Sequence, residues 1–130
     1  MNAYKRLSVW RKGHELTLRV YAVNGPIRSV HPPLASQLLR SAQSIPANIA
    51  EGSDRSSAAQ FANFLQIAIG SARELDYFLG LAKDLHLLDA KEHAILEART
   101  DEVIRMLVGL RSRVKKAPAR LTESRAKLAP

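Results

Sequence analysis

Four histidines, a run of serines and two terminal blocks of Lys and Arg are the residues of this 130-residue chain whose types could do chemistry. A zincin-type hydrolase needs two histidines one helical turn apart with a glutamate beside the first. His14-Glu15 begins such a run, but Leu18 stands where the second histidine belongs. A di-iron bundle needs inward glutamates and a Glu followed three positions later by His, and that spacing does not occur. Asp89 and His93 lie one turn apart with His86 nearby, a pattern that a helix cap accounts for better than a metal does. No cysteine is present, which excludes disulfides and thiolate metal sites. Ser53, Ser56 and Ser57 have neither a histidine near in sequence nor a nucleophile elbow around them, and capping roles suffice. Gly80 and Gly109 are isolated in helical patterns, so no phosphate-cradling loop is expected. The sequence therefore predicts no catalytic, cofactor-binding or metal-binding residue, and no enzyme.

The cations remain. Net charge is +8, and residues 1–31 hold six Lys or Arg against one acid while residues 116–130 hold four against one. Between them ten basic and ten acidic residues cancel, so the whole excess sits at the two ends of the sequence. Such asymmetry points to a polyanion partner, against the plainer account of solubility and helix-dipole complementation.

Helices must position these groups. Apolar residues make up 46% and aromatics 5%, which favours helices over a sheet sandwich. A first helix is predicted from Ser8 as N-cap to about Val23, with Val9, Leu16, Val20 and Val23 inward and Asn24-Gly25-Pro26 as its stop. Pro32-Pro33 open a second helix that reaches Glu51. Leu38, Ala42, Ile45 and Ile49 carry one apolar stripe through Pro46, where a kink is expected. The ring displaces the backbone hydrogen bond to the Ala42 carbonyl, at a cost of roughly 3 kcal/mol, and Ser44 is placed to cap the second segment. Gln37, Arg40, Ser41, Ser44, Asn48 and Glu51 form a polar stripe on the other side, beside small Ala47 and Ala50, and either face solvent or lie in a helix or subunit contact. Gly52 is expected to take the left-handed position that ends this helix, and Ser57 with Gln60 has the form of a capping box for the next.

The third helix is predicted from about Ala58 to His86. Phe61, Phe64, Ala68, Leu75, Phe78, Ala82 and Leu85 are inward, and Leu65, Ala72 and Leu79 widen the face. Ile67, Ile69 and Leu81 fall outside that face and predict an oligomer interface. Asp89 with Glu92 caps a fourth helix, which follows Leu96, Val103, Leu107, Leu110 and Val114 to about Lys115. Four such helices predict an all-α, up-down-up-down antiparallel bundle over residues 1–115, with residues 116–130 as a basic tail, frayed helix or disordered. In that topology Lys5, Arg6, Arg11 and Lys12 share one end with Arg111, Arg113, Lys115 and Lys116, and Arg120, Arg125 and Lys127 lie on the tail beside them. These cations are the candidate nucleic-acid contacts. No apolar run nears the roughly 20 residues of a membrane span, and residues 1–8 lack a signal-peptide core, so a cytoplasmic protein without membrane contact is expected.

The stretch Ser44-Ile45-Pro46-Ala47-Asn48-Ile49-Ala50-Glu51-Gly52, followed by Arg55, closely resembles the signature of the small four-helix-bundle proteins encoded in intervening sequences of bacterial 23S rRNA. The accessory proteins of diversity-generating retroelements belong to the same group. Leu7, Val9, Trp10 and Lys12 resemble that family's opening helix, Gln37 and Arg40 precede the signature as in the family, and Phe64-Leu65, Ala68, Gly70-Ser71 and Glu74-Leu75 resemble its third helix. The resemblance implies a homopentameric ring of bundles, a structural or interface role for Gln37, Arg40, Ser44, Pro46, Asn48, Glu51, Gly52 and Arg55, and an accessory role in which RNA or DNA and a protein partner are bound. The alternative is a protein-interaction scaffold with no nucleic-acid role.

Overall fold

In the computed structural model, residues 3–54 and 57–116 are described, and Arg55 and the tail from residue 117 lie outside them. A 3-10 turn, Ala3–Arg6, leads into four helices: α1 Ser8–Val30, α2 Pro32–Ser53, α3 Ala58–Asp84 and α4 Ala90–Lys116. The described residues contain no strand. Each helix packs on its neighbours in sequence, and α4 closes back on α1. Cross-helix pairs fix the directions: Gly13 lies by Ile45 and Thr17 by Ala42, Gly52 by Phe64 and Ser44 by Ser71, and Lys12 and Arg19 meet Glu102 and Glu92. Between α1 and α2, α2 and α3, and α1 and α4, one partner's number rises as the other's falls, so these helices are antiparallel, as in an up-down bundle. Leu16, Val20, Ile27, Leu38, Ile45, Ile49, Leu65, Leu75, Leu79, Leu96, Val103 and Leu107 fill its core.

Three expectations about helix ends and register are corrected. The first helix does not stop at Asn24-Gly25-Pro26 but runs on to Val30, with Ser8 inside it and Leu7 at the N-cap position. The reason is Ile27, fully buried one turn beyond the last expected apolar residue. Its burial, worth roughly 1.5–3 kcal/mol, opposes the roughly 3 kcal/mol cost of Pro26. Asn24, expected in a turn, is buried in the same stripe.

Gly52 is not a left-handed helix stop. No glycine among the described residues has positive φ, and α2 continues past Gly52 to Ser53. What position 52 needs is absence of a side chain: a Cβ there would stand 2.6 Å from Phe64 Cβ and 3.0 Å from Phe61 Cδ1. Among the described residues the left-handed one is His86, φ 61°, at the end of α3. There Leu87 N–H donates to Ala82 O and His86 N–H to Lys83 O, both at 2.9 Å, the two-bond pattern of a Schellman motif with His86 at C′.

The third correction is the register of α3. Ile69 is buried, while Leu85, expected in the core, is 45% exposed, and Phe64 and Phe78 are half-buried. A helix between two neighbours buries a wider arc than a single stripe, and here the arc turns toward α4.

Candidate nucleic-acid interface

The histidines all have structural roles. His14 stacks on Trp10, with ring centroids 5.0 Å apart and an 8° interplanar angle. His31 accepts the Leu34 N–H on Nδ1 at 3.2 Å and so caps α2. His86 holds the left-handed turn. His93, read in the sequence as part of a helix-cap pattern, is buried, with Nε2 4.0 Å from Glu97. It sits one turn into α4, beyond the cap, where the fourth-helix stripe reaches the core; Asp89 does cap that helix, accepting the Glu92 N–H at 2.7 Å. No group of acids and histidines among the described residues could hold a metal ion. On α3, partial burial raises the Asp76 carboxyl above the ordinary range. Asp101 and Glu97 across on α4 add to the rise, and His93 opposes it.

The polar stripe of α2 lies along α3. Gln37, Arg40, Ser44 and Asn48 join Ser71 and Glu74 around an open groove of about 740 Å³. Ser44 Oγ and Ser71 Oγ are 2.7 Å apart, and Asn48 Nδ2 donates to Ser44 O at 2.7 Å and to Ser44 Oγ at 3.0 Å. Ser44 thus bridges two helices instead of capping a segment, because α2 is continuous there. Ser41 is buried, with its hydroxyl donated to Gln37 O. Pro46 is buried against Gly13, whose missing side chain lets α1 and α2 approach: a Cβ there would meet Ile45 Cγ2 at 3.2 Å. The signature therefore divides into packing positions, Pro46 and Gly52, a hydrogen-bonded pair, Ser44 and Asn48, and solvent-facing Gln37, Arg40 and Glu51.

The antiparallel order places the starts of α1 and α3 at one end of the bundle with the ends of α2 and α4. Lys5, Arg6, Arg11, Lys12, Arg113, Lys115 and Lys116 are exposed there and Arg111 is half-buried. They are not alike. Lys12 pairs with Glu102 at 3.6 Å. Further along α1, Arg19 makes a forked contact with Glu92 at 2.8 and 3.3 Å, a hydrogen bond that holds the guanidinium more firmly charged. Lys5, Arg6, Arg11, Arg111, Arg113, Lys115 and Lys116 have no carboxylate partner among the described residues. They form two clusters. The turn carrying Lys5 and Arg6 packs on α1 and α2, and Arg11 Nη1 ties it down by donating to Lys5 O at 3.1 Å. Arg111 and Lys115 instead line a groove of about 300 Å³ with Ala58, Ala59, Ala62 and Asn63 at the start of α3.

Sequence reasoning missed two arrangements. Thr17 links α1 to α2, for which a lone threonine among apolar residues gives no signal. Tyr4, Trp10 and His14 form a ring ladder, Tyr4 edge-on to Trp10 at 5.0 Å and 64°. The four-residue step from Trp10 to His14 on one helix was legible, since such pairs share a face.

Residues 5–109 match the family described as 23S rRNA-intervening sequence protein. Among solved structures, the chain is similar to a protein of unknown function from the S23 ribosomal protein family of Bacteroides thetaiotaomicron. The two share 27% identity and a TM-score of 0.74, over 78% of this chain and 96% of that one. No curated protein matches. No helix among the described residues is long and apolar enough to cross a membrane.

Proposed function

The chain belongs to the 23S rRNA-intervening sequence protein family, and from that premise we propose a non-enzymatic, ring-forming accessory protein that binds nucleic acid through the basic end of its bundle. One observation carries the reading: the acids of α4 neutralise Lys12 and Arg19, whereas seven cations at the bundle end, Lys5, Arg6, Arg11, Arg111, Arg113, Lys115 and Lys116, are left without carboxylates among the described residues. Unpaired surface cations in two clusters supply the sequence-independent, salt-sensitive attraction of a phosphate backbone. A homopentameric ring would repeat both clusters around its axis and multiply the contact. Support for the ring comes from the outer face of α3, where Ile67 and Tyr77 are 51% and 63% exposed on either side of unobstructed Gly70. A bend at Pro46, where the backbone hydrogen bond to Ala42 is lost, would set the tilt of the lower half of α2 within that ring.

Charge reversal at Arg111, Arg113, Lys115 and Lys116 tests the assignment. We expect RNA and DNA binding at low salt to be lost while helicity and melting are retained. Unchanged binding by a folded variant would overturn it, and a protein partner that survives nuclease and high salt would favour the scaffold alternative.

A further inference from the structure

The outer face of α1 carries a stripe that neither the core nor the ion pairs use. Trp10, His14, Leu18 and Tyr21 follow one another at four, four and three residues, so they share one side of the helix. Leu16, Val20 and Ile27 point into the core from the other side. Trp10 is half-buried, His14 is exposed, and Leu18 and Tyr21 are 56% and 51% exposed. The rings are ordered. Tyr4 meets the indole edge-on and the indole lies flat against His14. Tyr21 is fixed by its hydroxyl, 3.0 Å from Gln43 Oε1 on α2. From Trp10 to Tyr21 the stripe runs about 16 Å along the helix.

Cations stand at both ends of this stripe. Lys5 and Arg6 follow Tyr4, which meets Trp10, Arg11 adjoins Trp10 in α1 and donates to Lys5 O, and Arg28 is two turns beyond Tyr21; none of these four cations has a carboxylate partner among the described residues. Pre-ordered rings with flanking unpaired cations are the elements of a site for unpaired nucleic acid. Bases stack on the rings whatever their identity, and the backbone is held by Lys and Arg. A duplex keeps its bases stacked on one another and offers such rings nothing but phosphate.

We propose that the α1 face of Trp10, His14, Leu18 and Tyr21 is a stacking platform for single-stranded nucleic acid, with Lys5, Arg6, Arg11 and Arg28 as its phosphate contacts. This rests on the reading of the basic end as a polyanion site and specifies the form of its ligand. The stacked bases occupy the free face of the His14 ring and the Tyr21 ring, since the other face of His14 is covered by Trp10.

Trp10 is the chain's one tryptophan, so its fluorescence reports directly on the platform. The experiment titrates the full chain at low salt with oligothymidylate of about 12 nucleotides, and separately with the blunt dT·dA duplex of that length. The single strand should bind more tightly than the duplex and change the Trp10 emission. His14→Ala or Tyr21→Ala should weaken the single strand about tenfold, the order expected for one stacked base, with duplex affinity and melting unchanged. His14→Tyr should keep the wild-type affinity. Equal affinity for both forms, indifferent to His14→Ala but abolished by Arg11→Glu with the α4 reversals, would overturn the platform and leave the basic end standing. Binding of neither form would overturn both. Dissociation of the assembly by Tyr21→Ala would show the stripe to be a contact between copies, and would likewise overturn the platform.

Discussion

Thr17 Oγ1 lies 3.1 Å from the carbonyl oxygen of Ala42, across the contact between α1 and α2. Ala42 is four residues before Pro46, so its carbonyl is the one that the proline leaves without an intrahelical donor. It is fully buried, where an unsatisfied carbonyl is costly. Thr17 Oγ1 is also 2.9 Å from Gly13 O, so a single hydroxyl proton serves both acceptors. The interruption in the signature of α2 is thus answered from α1, at the level where Gly13 permits close approach.

Thr17→Val should therefore destabilise the bundle by about 1–3 kcal/mol, as a buried acceptor loses its donor. Thr17→Ser should cost less. Pro46→Ala restores an N–H at position 46, which can satisfy Ala42 within the helix. In that background Thr17→Val should cost markedly less, and urea unfolding of the four proteins of this cycle measures the coupling. Additive effects would separate Thr17 from the proline.

Glycine is required at position 52 for space and favoured at position 86 for backbone conformation. Gly52→Ala should destabilise by about 1–3 kcal/mol, because Phe64 and Phe61 leave no room for a methyl group. His86→Gly should stabilise by about 1 kcal/mol, since the left-handed conformation favours glycine. Thermal melting of both variants checks the pair, and opposite signs are the expected outcome.

The four-helix plan was legible because its signals are local. Ser57 does cap α3, accepting the Gln60 N–H at 2.9 Å, and Asp89 caps α4. Long apolar periodicity did the rest. What was illegible depends on partners remote in sequence. Nothing near Pro26 says that Ile27 will find a cavity deep enough to carry the helix onward. Nothing near Gly52 says that Phe64 will lie against it, and local rules then favour a left-handed stop. The basic residues could be counted but not sorted, because the acids that neutralise Lys12 and Arg19 lie on α4. His14 reads in sequence as half of a metal motif, whereas its nearest ring is Trp10, one turn back.

The raised carboxyl of Asp76 makes stability depend on pH. Desolvation, then Asp101 and Glu97, favour its protonated form in the folded state relative to the unfolded chain, with His93 opposing. Below the ordinary aspartate range both states are protonated and the group costs nothing. As pH rises through the elevated folded value, stability is lost. Asp76→Asn should therefore raise the melting temperature at neutral pH, with the gain vanishing by about pH 3. A gain that persists unchanged in acid would point to packing instead of charge.

The outer face of α3 separates bundle stability from assembly. Gly70 is exposed in mid-helix, and nothing lies within 4 Å of the point where a side-chain methyl group would stand. Gly70→Ala thus removes the glycine penalty without a clash inside the bundle and should stabilise it by up to about 1 kcal/mol. Gly70→Arg fits the isolated bundle equally well but places a charged chain between Ile67 and Tyr77. If the ring is built on this face, Gly70→Arg should reduce the mass seen by light scattering to that of single bundles while helicity and melting of the bundle persist. Unaltered mass in that variant would move the subunit contact off α3, and leave Ile67 and Tyr77 for a different partner.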